Sequence, residues 1–273
     1  MTEEGSVRHI LSLSGGKDSA ALALYMRDRV PNMEYVFNDT RKELPETYDY
    51  LNRIEDYLGK RVNRLNAELG FDHWYDVYGG MIPSNHRRWC TRMLKLKPFE
   101  QFVGEYPVLN YVGLRADEAR TGYISHKPNI TPVYPFRDDG LKLADIHNIL
   151  LNSGVGMPPY TEWGRTRSGC FFCFYQQKIE WVHLKERHPA LYEEAKKYER
   201  PYEESGNVFT WSSGESLAEL EQPERVAQIR SDYEKRRVRE YERGADLTLE
   251  QVFERRRQLD DTDVDASCAI CTI

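Results

Sequence analysis

Apolar and polar positions along the first two thirds of the chain switch repeatedly between a short alternating pattern and a helical one. Positions 9–13, His9-Ile10-Leu11-Ser12-Leu13, read as a strand, and 20–26 has the make-up of a buried helix. A second strand is predicted over 34–37, ending at Asn38-Asp39-Thr40. Pro45 then opens a helix with Leu51, Ile54 and Leu58 on one face. Further strands are predicted over 61–65, 108–114 and 130–134. A helix over 142–152 aligns Leu143, Ile146 and Leu150 and stops near Gly154. Strands alternating with helices predict an α/β fold built on a doubly wound parallel sheet. Ligands of such sheets bind at the carboxyl ends of the strands, an edge that would carry 14–19, 39–40 and 113–115.

After about residue 178 the pattern changes. The spans 178–200 and 221–243 are rich in Glu, Lys, Arg and Tyr at helical spacing. Thr248-Leu249-Glu250-Gln251 has the form of a capping box before another helix. The expected organisation is a sheet domain over 1–177, a helical C-terminal region over 178–259 and an acidic, cysteine-containing tail over 260–273. The basic runs Lys235-Arg236-Arg237 and Arg255-Arg256-Arg257 read as solvated helix faces.

Composition narrows the setting. The chain has 273 residues and a formal net charge of -6, so nothing draws it globally toward nucleic acid. No apolar run reaches the ~18 residues of a membrane span, and the opening Met1-Thr2-Glu3-Glu4-Gly5 is no signal peptide; a cytoplasmic protein with no membrane association is expected. Five cysteines in that setting point to metal or sulfur chemistry rather than disulfides.

The most specific stretch is Ser12-Leu13-Ser14-Gly15-Gly16-Lys17-Asp18-Ser19, between the first strand and the first helix. Glycines there allow a tight turn and expose the first amides of the helix, where the helix dipole favours an anion. Ser14 and Ser19 add hydroxyls and Lys17 a mobile cation, which makes a phosphate cradle; the plain alternative is a Gly-Gly turn with polar neighbours. Asp39 and Thr40 offer either hydrogen-bond acceptors beside a ribose or an N-terminal cap for the following helix. The span 87–98 is densely basic around Trp89 and Cys90 and includes Lys95, while Gly113-Leu114-Arg115 and Arg120 add cations further on.

The Ser-Gly-Gly-Lys-Asp-Ser loop is not a Walker A motif. It resembles the pyrophosphate loop (PP-loop) of the N-type ATP pyrophosphatases. With Asp39-Thr40, the Glu-Leu-Pro-Glu-Thr of 43–47, the Cys-Thr-x-x-x-Lys-x-x-Pro of 90–98 and the Gly-x-Arg-x-x-Glu of 113–118, residues 8–180 resemble the phosphoadenosine phosphosulfate (PAPS) reductase family in its broad sense. That implies an adenine nucleotide alpha hydrolase-like fold. Within the family the pattern is most similar to the DndC and SspD type of bacterial DNA phosphorothioation. Sulfonucleotide reductases of the family commonly lack the Lys-Asp pair kept here, and their Glu-Cys-Gly-type ending does not match Cys268-Ala269-Ile270-Cys271.

The resemblance implies an ATP pyrophosphatase that adenylates a phosphate oxygen so that sulfur can replace it. Ser12, Ser14, Gly15, Gly16, Lys17 and Ser19 would hold the phosphates. Asp18 and Asp39 would serve Mg2+ or ribose, and Thr40, Lys95, Gly113 and Arg115 would line the nucleotide; Lys17, Asp18, Ser19 and Arg115 are the expected catalytic set. A cysteine desulfurase would supply sulfur, with DNA-modification subunits as partners and DNA as a weakly bound target. The alternatives are a sulfonucleotide reductase, a tRNA thiolation enzyme and a non-catalytic zinc-stapled nucleotide-binding module.

For the cysteines, the layout of Cys90, Cys170 and Cys173 is similar to that of cluster-bearing adenylyl-sulfate reductases and implies three ligands to a 4Fe–4S cluster. The rival is Zn2+ held by Cys170, Cys173, Cys268 and Cys271; small buried hydrophobes are the plain reading. Cys268 and Cys271 are equally a further ligand, sulfur carriers or an uninvolved tail. Trp163, Phe171, Phe172 and Tyr175 are expected to pack around the cysteines. His86 is read as a phosphate contact, His9 as packed in the sheet, and His126, His147, His183 and His188 as surface residues.

Overall fold

The structure, a computed structural model, describes residues 7–119, 127–200 and 208–244. Five strands, β1 (Arg8–Ser12), β2 (Glu34–Asn38), β3 (Val62–Leu65), β4 (Val108–Tyr111) and β5 (Ile130–Val133), form one sheet. Its order is β3-β2-β1-β4-β5 and every pairing is parallel. The chain winds outward in one direction from β1 through β2 to β3, then crosses back to β4 and β5. The order therefore reverses at β1, and the carboxyl end of β1 is the crevice where such sheets take ligands. The strand expected to reach residue 114 ends at Tyr111. Beyond it Val112 N still donates to Val133 O, while Leu114 N turns back to Val112 O.

Between the strands lie α1 (Lys17–Met26), α2 (Pro45–Leu58), α3 (Phe71–Val77), α4 (Trp89–Thr91), α5 (Lys97–Val103), α6 (Pro135–Asp138) and α7 (Leu143–Ser153). A π-helical turn, Arg92–Leu96, joins α4 to α5. The C-terminal region adds α8 (Lys178–Arg187), α9 (Pro189–Lys196), α10 (Leu217–Leu220) and α11 (Pro223–Gly244). The helix spacing expected across 178–200 is thus split at Pro189, which lacks the amide to continue α8. The expected helix beginning near Thr248, the run Arg255-Arg256-Arg257 and the tail cysteines lie outside the described residues. Lys235 and Arg237 are exposed, in keeping with a solvated face. Among the described residues no helix is long and apolar enough to cross a membrane.

Period-two alternation sends the strands' side chains to two faces, and both are covered. Leu11, Tyr35 and Phe37 face α1, α2 and α7, where Ala20, Leu51, Ile54, Ile146 and Leu150 are buried. Ile10, Val36, Val108 and Ile130 face Phe99 and Val103 of α5. A third cluster lies off the sheet and joins Phe71, Trp89, Phe171 and Phe172 to Trp181, Tyr192, Trp211 and Leu217. Residues on both sides of position 177 share it, so the C-terminal helices close a core begun by the first half. Phe172 stacks on Trp211 with ring centroids 4.8 Å apart and meets Phe71 at 4.5 Å. Phe172→Ala opens a cavity where three rings meet and is expected to cost about 3–5 kcal/mol, measured by denaturant unfolding; a loss under about 1 kcal/mol would contradict this account of the cluster.

Candidate active site

The loop after β1 is held by its own polar atoms. Ser14 N donates to Ser19 Oγ at 3.1 Å, Gly16 N to Ser14 Oγ at 3.3 Å, and Ser19 Oγ to Gly16 O at 3.1 Å. Gly15 sits at φ +75°, and a Cβ there would lie 2.6 Å from Thr47 Cγ2, so only glycine fits. Gly16 is the N-cap of α1 and no side chain caps that helix. The first-turn amides of this ten-residue buried helix have no side-chain cap, and the Asp18 carboxylate in that turn is itself paired with Lys17 and Arg115. That is the arrangement an anion completes.

Charge is organised around the first turn. Lys17 Nζ lies 3.2 Å from Asp18 Oδ2, and Arg115 Nη1 lies 2.8 Å from Asp18 Oδ1. Arg115 also meets Asp117 at 2.9 Å and Glu118 at 3.2 Å, and is only 3 % exposed. Burial alone would push the Asp18 carboxyl up, but the charges of Lys17 and Arg115 outweigh it and hold it at about 2. Arg115, read from sequence as a phosphate ligand, has its charge balanced by three carboxylates and braces Asp18. Each Asp18 oxygen thus carries one cation contact. Gly113 does its work by size: a Cβ there would come within 2.9 Å of Asp18 O, in the backbone of α1.

The second loop, after β2, meets a third. Asp39 Oδ1 accepts from Tyr48 Oη at 2.7 Å and from Arg41 N at 2.8 Å, which steadies Arg41 at φ +59°. The N-cap of α2 is Leu44, so neither Asp39 nor Thr40 caps that helix as the alternative reading had it. Thr40 Oγ1 donates to Glu43 Oε1 at 2.8 Å and stands 3.2 Å from Cys170 Sγ. The backbones pair as well: Glu43 bridges Cys170, and Phe171 N donates to Lys42 O at 2.8 Å. Burial raises the Glu43 carboxyl against the pull of Lys95, and burial with Glu43 raises the Cys170 thiol, again against Lys95. Lys95, in the π-helical turn, thus directs its charge at this cluster.

The cysteine loop is pinned across the phosphate loop. Arg165, 1 % exposed, donates to the carbonyls of Arg167, Gly169 and Cys170 and to Gln176 Oε1. Ser168 Oγ then approaches Ser14 Oγ at 3.4 Å, and Tyr160 Oη donates to Gly15 O at 3.2 Å. Arg167 Nη2 is buried without a hydrogen-bond partner, and the guanidinium lies over the Tyr175 ring at 5.3 Å.

Three residues carry unmet hydrogen-bonding capacity on the sheet itself. Ser12 Oγ and both amide ends of Asn38 and Asn110 are buried with no partner. The strand registers put all three on one face, with Ile10, Val36 and Val108. Ser12 was expected in the site; Asn38 and Asn110 were not, and the signal was a polar residue at an inward position of an apolar strand. Buried amides without partners are costly, and a ligand with ring nitrogens or hydroxyls would satisfy them.

Among the described residues no three His, Cys, Asp or Glu side chains are gathered so as to hold a metal ion. The three-thiolate arrangement expected of Cys90, Cys170 and Cys173 is therefore not formed. Cys90 packs at the margin of the aromatic cluster with Trp163 and Cys170, while Phe171 and Phe172 are buried in it. Cys268 and Cys271, like Arg120 and His126, lie outside the described residues. His9 Nδ1 pairs with Tyr111 Oη at 2.8 Å and His86 is exposed. Two histidines expected on the surface are not ordinary there: His188 Nε2 lies 2.7 Å from the half-buried Glu46, and His183 is partly buried with Nδ1 unpartnered.

A family model described as the phosphoadenosine phosphosulfate reductase domain matches residues 8–176. An uncharacterized protein of Methanocaldococcus jannaschii is 29 % identical over 73 % of this chain and 43 % of its own length. An adenosine 5'-phosphosulfate reductase of Staphylococcus haemolyticus is 29 % identical over 41 % of this chain and 46 % of its own. The chain thus spans less than half the length of these curated relatives. A crystal structure of phosphoadenylyl-sulfate (PAPS) reductase from Candida auris, in a phosphate complex, shares the fold: TM-score 0.50, 14 % identity, 60 % of this chain and 82 % of that one.

Two substitutions test the geometry. Gly113→Ala forces the end of β4 from α1 and is expected to cost about 1–3 kcal/mol in denaturant unfolding; an unchanged midpoint would contradict the contact. The Asp18 carboxyl ionises lower in the fold than its free value of 3.8, so its stabilisation is complete above that pH and fades as pH falls toward 2. Asp18→Asn is expected to cost about 3 kcal/mol at neutral pH, with the gap to wild type closing below pH 3.8. A gap independent of pH would contradict the ion pairs.

Proposed function

The chain belongs to the phosphoadenosine phosphosulfate reductase domain family, and from that premise we propose that it is an ATP pyrophosphatase that activates an oxygen for replacement by sulfur. The observation that carries this reading is the Lys17–Asp18–Arg115 network at the uncapped first turn of α1. Departing pyrophosphate concentrates negative charge on two phosphorus groups. Aligned helix amides with a cation on a flexible stem beside them match that need better than they match a single phosphate.

The chemistry follows from charge and position. An acceptor phosphate oxygen attacks the α-phosphorus of ATP, and the bond to the β-phosphate oxygen breaks. Gly15, Gly16 and the first-turn amides, with Ser14, Lys17 and Ser19, hold the leaving pyrophosphate. Asp18, fixed by Arg115, holds Lys17 in place; a Mg2+ ion bound with the triphosphate would neutralise part of its charge. Ser12, Asn38 and Asn110 supply donors and acceptors for the nucleoside, with Asp39 and Gly113 at the strand ends. A sulfur nucleophile then displaces AMP from the acceptor. The protein's contribution is positioning and neutralisation, as phosphoryl chemistry requires.

The sulfur source in this reading is a cysteine desulfurase, and the acceptor is a DNA backbone phosphate presented by partner subunits, since a chain of net charge -6 has little attraction for DNA alone. A second reading, a sulfonucleotide reductase, is favoured by the Staphylococcus haemolyticus relative. The two separate cleanly. Wild type with ATP, Mg2+ and no sulfonucleotide is expected to release pyrophosphate, and Lys17→Ala to lose that release by roughly 10²-fold or more while still unfolding cooperatively, at a midpoint lowered by the lost ion pair with Asp18. No pyrophosphate release from ATP, with sulfite and a nucleoside monophosphate formed instead when a sulfonucleotide and a thiol reductant are supplied, would overturn the first reading, as would full release by Lys17→Ala.

A further inference from the structure

Cys170 was expected to ligate a metal, and the described residues give it no metal set. They give it a different set of neighbours. Thr40 Oγ1 donates its one hydrogen to Glu43 Oε1 at 2.8 Å. The same oxygen accepts from Lys42 N at 3.3 Å and lies 3.2 Å from Cys170 Sγ. With its hydrogen committed to the carboxylate, Thr40 faces Cys170 as an acceptor, so the thiol donates to it. Cys170 Sγ itself stands 3.9 Å from Glu43 Oε1, and the hydroxyl is the shorter path between them. The order is thiol, hydroxyl, carboxylate, and shifting two hydrogens along it converts thiol and carboxylate into thiolate and carboxylic acid.

Glu43 is the independent sign that this is more than packing. It is 6 % exposed, and its Oε2 is buried with no partner. A carboxylate left half-satisfied inside a protein is costly unless it has work to do. Lys95 and Arg165 face the group with positive charge, while Asp39, Tyr48 and Cys173 are the other titratable neighbours. Lys95 stands against both ends of the relay, so the negative charge is balanced wherever the proton sits. Cys170 is partly exposed and is carried on the loop that Arg165 pins over the phosphate loop.

We propose that Cys170, Thr40 and Glu43 form a proton relay that makes Cys170 the acceptor of sulfane sulfur from a persulfide donor. The inference rests on the sulfur-transfer reading above and names where sulfur enters that site. Cys170 Sγ attacks the outer sulfur of a persulfide R–S–SH. A Cys170–sulfur bond forms and the donor's S–S bond breaks. The thiol proton passes to Thr40 as Thr40's own proton passes to Glu43. The leaving R–S⁻ takes that proton back from Glu43 and departs as R–SH, and Cys170 retains the persulfide. No oxidant or reductant is consumed.

The test uses the full chain, glutathione persulfide as donor and no nucleotide, so it stands or falls independently of pyrophosphate release. Peptide mass spectrometry is expected to find one added sulfur atom on Cys170. Thr40→Val, which keeps the shape and removes the hydroxyl, is expected to slow that transfer by on the order of 10²-fold, and Thr40→Ser to restore it. Wild-type transfer is expected to slow in heavy water and that isotope effect to vanish in Glu43→Gln, a readout that a purely structural role would leave unmoved. Sulfur gained on Cys90 or Cys173 with Cys170 unlabelled would overturn the proposal. So would equal rates for Thr40→Val and wild type, or an isotope effect that survives in Glu43→Gln.

Discussion

A single buried cation ties the molecule's centre together. Arg115 reaches from the end of β4 to Asp18 in the first turn of α1, with Asp117 and Glu118 balancing it from its own segment. The two strands that flank the sheet's reversal are thereby joined through side chains as well as through their ladder. Because Gly113 lets the backbones touch, the helix N-terminus cannot drift from the strand edge. An anion-binding turn is useful only if its amides are fixed before the anion arrives; otherwise part of the binding energy goes into ordering them. Here the ordering is done by an ion-pair network whose desolvation is already met in the free protein.

The same logic applies one layer out. The loop after β1, the loop after β2 and the cysteine loop each lack regular structure; the first is held by its own hydroxyls and by Tyr160, the second by Tyr48 and the third by Arg165. Arg165 fixes the cysteine loop through backbone carbonyls, and the aromatic cluster around Phe172 and Trp211 anchors the segment that follows. Loops carrying chemistry on a rigid frame are the usual arrangement. What is particular here is that the frame includes the C-terminal helices, since Trp181, Tyr192 and Trp211 are buried against residues from the first half.

Much of the sheet and of the phosphate loop was legible in sequence because both are local. Strand alternation, Pro45 at a helix start and the pair Gly15-Gly16 each act on their own few residues, so pattern suffices. What pattern missed is long-range. Nothing in the sequence pairs Thr40 with Cys170, or Asp18 with Arg115, across so much chain. Arg115 looked like a phosphate ligand because arginine after a Gly-x step in a phosphate site commonly is one; its three carboxylates were visible only as neighbours in space. Asn38 and Asn110 hid inside apolar strands, where a lone polar residue carries weak signal until its lack of a partner is seen. His188 looked like a surface residue for the same reason: Glu46, which meets it, is on another helix. The boundary at 177 follows a real change of composition, yet composition says nothing about which core a helix joins.

Ser168 and Tyr160 close over a loop that begins at Ser14, so the cradle's walls come from segments 154 and 145 residues apart in sequence. During vectorial synthesis β1 leaves the ribosome long before its neighbours β4 and β5, and long before the segment that roofs it. The nascent chain therefore presents a glycine-rich turn with no lid and a sheet with its middle seam open, and contacts of such high sequence separation form slowly. The turn therefore gains its roof only once the segment carrying Tyr160 and Ser168 has been made.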